Sequence, residues 1–92
     1  MTAILKAPEL VSSRRQAREL VASLPADLAE SEVVIDFSSL LASTPSFLDE
    51  LLNETLLRRN AGSLRTLGAT PRVRQLLLEL AENYGVATRL AF

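Results

Sequence analysis

The sequence contains no cysteine and no histidine. Without cysteine there is no disulfide framework, no thiol nucleophile and no thiolate metal site. Without histidine the chain lacks the usual general base near neutral pH and the commonest metal ligand. These absences remove the most familiar catalytic and metal-binding sets of residues. We therefore expect a protein that is not an enzyme and that uses no cofactor.

Long apolar runs and an excess of basic charge are missing as well. No apolar stretch approaches the roughly 20 residues that span a bilayer, and the first residues do not have the pattern of a signal peptide. Ten basic and eleven acidic residues give a net charge of −1, whereas a nucleic-acid binder usually has a large basic excess. We expect a cytoplasmic protein with neither a membrane nor a nucleic-acid partner.

What the chain does contain is a regular alternation of strand and helix patterns. Its 92 residues, 48% of them hydrophobic, are enough for one folded domain over residues 1–92. The run "EVVIDF" is nearly all apolar, which predicts a central strand buried on both faces. The predicted strands are residues 2–6 at a sheet edge, 32–37 in the centre, 63–67 half exposed, and 86–92.

Each predicted helix begins at a hydroxyl side chain that can accept a backbone N–H. The three caps are Ser13, in a capping box with Gln16, then Thr44 or Ser43, and Thr70. Pro25 ends the first helix after Leu24, and Gly85 ends the third. The order β-α-β-α-β-α-β predicts an α/β domain with about three helices and an approximately four-stranded sheet, mixed but mostly parallel.

The second helix is predicted to be amphipathic. Its inner face comprises Phe47, Leu48, Leu51, Leu52, Thr55 and Leu56. Its outer face comprises Asp49, Glu50, Asn53 and Glu54, with Leu57 exposed among them. Leu78 leaves the apolar stripe of the third helix in the same way, so both leucines are candidates for a partner surface.

The stretches "VVIDFSSLLASTPSFLDELL" and "LRTLGATPRVRQLLLEL" resemble the STAS domain family of sulfate transporters and anti-sigma-factor antagonists. The likeness is closer to a group of small prokaryotic STAS-like proteins. The shared motifs are Ser13-Arg14 with Ala17, Asp36-Phe37, and Ser46-Phe47 with Asp49-Glu50. At the turn this chain has "TPSFL" where the antagonists have "DSSGL", so Thr44 replaces an Asp and Phe47 replaces a Gly.

The resemblance implies a non-catalytic regulatory module that binds a protein partner, such as a kinase or ATPase of the anti-sigma type. Ser46 falls on the serine that is phosphorylated in the antagonists, with Ser43 and Thr44 as alternates. The simpler interpretation is that one hydroxyl caps the helix and the others are solvated. The expected partner surface is Thr44, Phe47, Asp49, Glu50, Asn53 and Leu57.

A second candidate site is the polar end of the central strand. Asp36 lies where ligands bind in open α/β sheets, and it can bond either the N–H groups of the following loop or Arg14. Arg14, Arg15 and Arg18 form either a solvated face or a docking patch. Two rival functions remain, a nucleotide or anion sensor and a small phage- or operon-encoded inhibitor of a partner protein. Monomer and homodimer are both open.

Overall fold

The computed structural model describes all 92 residues and contains the predicted strands and helices in their predicted order, together with two further short strands. The strands are β1 (Thr2–Lys6), β2 (Leu10–Val11), β3 (Glu32–Asp36), β4 (Ala42–Ser43), β5 (Ser63–Leu67) and β6 (Leu90–Ala91). The helices are α1 (Arg14–Val21), α2 (Pro45–Leu52), which continues as a π-helical segment (Asn53–Arg58), and α3 (Pro71–Asn83). A 3-10 turn (Ala87–Arg89) precedes the last strand.

Four strands form one sheet in the order β1-β3-β5-β6. The predicted small α/β fold with a mostly parallel sheet is confirmed, and every pairing in this sheet is parallel. Because the successive crossovers advance in one direction and are right-handed, the three helices pack on the same face of the sheet. The helix α2 is the middle one, in contact with α1 on one side and α3 on the other.

The core lies between the sheet and this layer of helices. In β3, Val33 and Ile35 belong to this core, and Val34, whose side chain points to the other face of the sheet, is buried too, as predicted for a central strand. In β5, Leu64 is buried and Arg65 is exposed, which confirms a half-exposed strand. All six residues predicted for the inner face of the second helix are buried.

The local signals at the helix ends are confirmed. Ser13 and Gln16 form the capping box, and Thr44 and Thr70 cap α2 and α3. Gly85 follows α3 at φ 71°, a left-handed conformation that glycine adopts without steric cost.

Several details differ from the prediction. The strand β3 ends at Asp36, one residue earlier than predicted. The helix α1 ends at Val21, before Leu24. The predicted loop after β3 contains β4, which pairs with β2 in a second, two-stranded parallel sheet. The last strand is only two residues long, since residues 87–89 form the 3-10 turn instead. Arg89 of this turn donates hydrogen bonds to the carbonyls of Leu56 (2.7 Å) and Ala61 (3.1 Å from Nε). The bond to Leu56 satisfies a carbonyl in the last turn of the π-helical segment, and the bond to Ala61 holds the loop that follows it.

No helix of the protein has both the length and the apolar character that crossing a membrane would require.

Candidate functional site

The turn between β4 and α2 is a corner of the molecule, and we call residues 43–46 the hydroxyl corner. Thr44 is its structural member. The Thr44 Oγ1 atom accepts a hydrogen bond from the Phe47 N–H at 3.3 Å and donates one to the Ser12 carbonyl at 2.9 Å. Thr44 therefore both caps α2 and ties the corner to the residues that precede α1.

Ser46 is the exposed hydroxyl of the corner. It occupies the second position of α2, and its side chain faces solvent, whereas Ser43 and Thr44 are half buried. Because the cap uses Thr44, the Ser46 hydroxyl has no part in beginning the helix. The structure thus assigns the cap to Thr44 and leaves Ser46 as the exposed hydroxyl, whereas the sequence alone left both roles open.

Two exposed leucines lie close to the corner. Leu10 in β2 is 63% exposed, and Leu41, just before β4, is 75% exposed. The parallel pairing of β2 with β4 sets Leu10 opposite Ala42, so these apolar side chains share one edge of the molecule with the corner. Sequence reasoning missed this apolar edge, since a two-residue strand is too short to show a periodic pattern.

A cavity of about 300 Å³ opens between the hydroxyl corner and the first turns of α3. Six of its ten lining residues are hydrophobic, and they are Leu40, Leu41, Ala42, Leu48, Val73 and Leu76. Arg72 is the one charged residue that lines it. The cavity lies at the carboxyl ends of the parallel strands, the edge at which open α/β sheets bind ligands.

The predicted outer face of α2 is the main correction. Glu50 is buried, with only 4% of its surface exposed, and Glu54 is buried too. Asp49 and Asn53 are half buried, and Phe47 lies wholly in the core. As the middle helix, α2 has neighbours on two sides, so its polar side chains lie between helices instead of in solvent.

These buried side chains form an ionic network between the helices. The Glu50 carboxylate accepts hydrogen bonds from the Nη1 atoms of three arginines, which are Arg58 at 2.8 Å, Arg18 at 3.2 Å and Arg14 at 3.4 Å. Glu54 pairs with Arg58, four residues along the helix, and with Arg59 at 2.5 Å. Arg14 and Arg18 of α1 reach this network, whereas Arg15 is exposed and pairs with Glu19 on the surface, so the predicted arginine cluster is divided between the network and a solvated face.

Asp49 joins α2 to both of its neighbours. Its carboxylate accepts hydrogen bonds from Arg14 at 2.5 Å and from the Tyr84 hydroxyl at the end of α3. Asn53 donates to the same Tyr84 oxygen at 3.2 Å. Of the expected partner surface, only Leu57 is exposed to a substantial degree, at 39%. The network is therefore part of the structural framework under the site.

The environment lowers the pKa of both carboxylates of α2 that contact α1. Burial alone would raise the pKa of Glu50, but the hydrogen bonds from Arg58 and Arg18 outweigh it, and the pKa falls below its ordinary value of 4.5. Burial would likewise raise the pKa of Asp49, and the hydrogen bonds from Tyr84 and Arg14 lower it below 3.8. Both groups are thus held in the charged form.

This arrangement predicts a loss of stability in acid. A group whose pKa is lower in the folded chain stabilises the fold fully above its unfolded value, and it loses that contribution as the pH falls through the folded value. We expect the urea midpoint to decline below pH 4.5, the ordinary pKa of a glutamate. Glu50→Gln should be less stable at pH 7 but should lose less between pH 7 and pH 3. If the wild type and Glu50→Gln lost the same stability between pH 7 and pH 3, the stabilising role assigned to the charged Glu50 would be contradicted.

The proposed polar site at the end of β3 is not assembled. Asp36 accepts a hydrogen bond from the Ser38 N–H at 2.8 Å, which confirms the local alternative and lowers the pKa of Asp36. Arg14 instead contacts Asp49 and Glu50. The pairing of Asp36 with Arg14 was wrong, because Arg14 lies against the middle helix and not at the strand end.

No cluster of three or more carboxylates is placed to hold a metal ion. No family model, curated protein or solved structure matches the chain.

Proposed function

We propose that this protein is a non-catalytic, STAS-like regulatory module that binds a partner protein at the hydroxyl corner. The observation that supports this most directly is the exposed Ser46 hydroxyl, three residues after β4, the strand at whose edge Leu10 and Leu41 are exposed. Isolated exposed leucines need no explanation, but two that share an edge with a free hydroxyl make a compact mixed surface of the kind that partners use. The partner would be a kinase or ATPase of the anti-sigma type, or another cytoplasmic signalling protein.

Phosphorylation of Ser46 is the switch in this proposal. A phosphate there carries about two negative charges and lies at the positive end of the α2 dipole. Repulsion from Asp49 and Glu50 is weakened, because arginines already neutralise both carboxylates. The modification should therefore change partner binding while leaving the fold nearly as stable as before.

The test compares Ser46→Asp with a matched control, Ser23→Asp. Ser23 is also exposed, but it follows the C-terminal end of α1, which lies at the opposite edge of the sheet. The full chain is used to capture partners from its own cells, and the purified partner is then titrated by calorimetry. We expect Ser46→Asp to weaken binding at least tenfold and Ser23→Asp to leave it unchanged, with thermal midpoints within a few degrees.

Phosphosite mapping of the protein isolated from its own cells provides the second arm. We expect phosphate on Ser46 and none on Thr44, whose hydroxyl is committed to the cap and to Ser12. The phosphorylation switch would be wrong if Ser46 is unmodified and if the wild type, Ser46→Asp and Ser46→Ala all bind the partner equally well. If the partner bound Leu41→Ser and Leu10→Ser as well as it binds the wild type, the docking surface would not include this apolar edge.

A further inference from the structure

The cavity beside the hydroxyl corner has a composition that selects a particular kind of small molecule. Its walls come from two segments far apart in the chain, residues 40–48 and residues 70–76. Six of the ten lining residues are hydrophobic, and the polar members are Ser43, Thr70 and Arg72, so the exposed lining is apolar and polar in nearly equal parts. An apolar pocket with a few convergent polar groups is the usual composition of a ligand site.

The charge around the cavity has one sign. Arg72 lines it, no carboxylate lines it, and Arg72 is in none of the ion pairs of the protein. The first turns of α2 and α3 both border the cavity, through Pro45 and Thr70, and helix N-termini carry partial positive charge. A ligand with one negative group would therefore complement both the arginine and the helix ends.

The volume limits the size of the ligand. A water molecule occupies about 30 Å³ of liquid, so 300 Å³ corresponds to roughly ten heavy atoms. A nucleotide is larger, and the cavity lining includes neither an aromatic side chain for a base nor a glycine for a phosphate loop. A short aliphatic chain with a carboxylate fits both the volume and the lining.

We propose that this cavity binds a medium-chain carboxylate, with the aliphatic chain against Leu40, Leu41 and Leu76 and the carboxylate on Arg72. This site does not depend on partner docking or on phosphorylation of Ser46. It gives the protein a ligand-binding activity in addition to the proposed interaction, at an adjoining surface.

The experiment is an NMR titration of the full ¹⁵N-labelled chain with sodium octanoate, which has ten heavy atoms. We expect saturable shifts confined to the amides of residues 40–48 and 70–76, with a Kd of about 1 mM or tighter. Octan-1-ol lacks the charge and butyrate lacks the chain length, so each should bind at least tenfold more weakly. ATP should cause no saturable shift.

Two arginines of α3 supply a matched pair of variants. Arg72→Gln should weaken octanoate binding at least tenfold. Arg74→Gln should leave it unchanged, because Arg74 lies outside the cavity, 6.0 Å from the ring centroid of Phe92. Both positions are exposed, so both variants should fold. No saturable shift up to 10 mM, equal binding of octanol, or equal effects of the two substitutions would overturn the proposal. If Arg72→Gln lost partner docking and the wild type did not bind octanoate, Arg72 would be a docking residue, and the ligand proposal would also be overturned.

Discussion

Replacing Phe47 by alanine should destabilise the protein by about 4 kcal/mol, because removing a buried phenyl ring leaves a cavity that the surroundings fill only in part. Phe47 has no exposed surface and lies in the core one residue after the hydroxyl corner. A chain of this length has a total stability of about 5–14 kcal/mol, so a large part of it would be lost. Urea unfolding followed by far-UV circular dichroism measures the change.

The control for this prediction is Leu57→Ala. Leu57 belonged to the same expected partner surface, but it is 39% exposed in the π-helical segment. Its truncation should cost about 1 kcal/mol or less. If Phe47→Ala kept the wild-type urea midpoint yet lost partner binding, the phenyl ring would be a contact residue and its buried position would be wrong.

Short-range signals in the sequence predicted much of this fold. Helix caps depend on a side chain and a backbone N–H only three residues apart, so Ser13, Thr44 and Thr70 could be identified without any tertiary information. The central strand was equally clear, because a short β-branched run has few other ways to be buried. Parallel pairing then followed from the alternation of strands and helices.

Short-range signals could not predict which side chains of α2 are exposed to solvent. Helical periodicity shows which residues share a face, but the number of covered faces depends on the neighbouring helices. Because α2 lies between α1 and α3, two of its sides are covered. Asp49 bonds Arg14 of α1 and Tyr84 at the end of α3, and Glu50 bonds arginines of α1 and of the π-helical segment. The arginines at 14, 18 and 58 were a signal, but the chain gave no indication that they meet at one carboxylate.

The cavity could not be predicted from the sequence, for a related reason. Leu48 and Val73 are 25 positions apart, and only the parallel arrangement of β3 and β5 brings their helices together at one sheet edge. Neither segment has a distinctive motif by itself. What the sequence did locate is the hydroxyl corner that borders this cavity, since a cap directly after a strand marks the edge where such sites form.

The buried ionic network should have the second-largest effect on stability. Glu50→Ala removes the carboxylate that Arg14, Arg18 and Arg58 share. Breaking a buried ion pair by removing one partner costs about 3–5 kcal/mol. We expect about 3 kcal/mol here, because the three arginines are half exposed and can turn to water, and because Arg14 and Arg58 keep Asp49 and Glu54 as partners.

The matched control is Glu19→Ala, which breaks the ion pair of Glu19 with Arg15 at 3.0 Å on the surface of α1. Both of its side chains are mostly exposed, so the loss should stay below about 0.5 kcal/mol. High salt separates the two pairs further, since screening weakens exposed charges far more than buried ones. Urea titrations at low and high salt would measure both. If the two substitutions cost the same, Glu50 would not join α1 to α2, and the outer face of α2 would again be open to a partner.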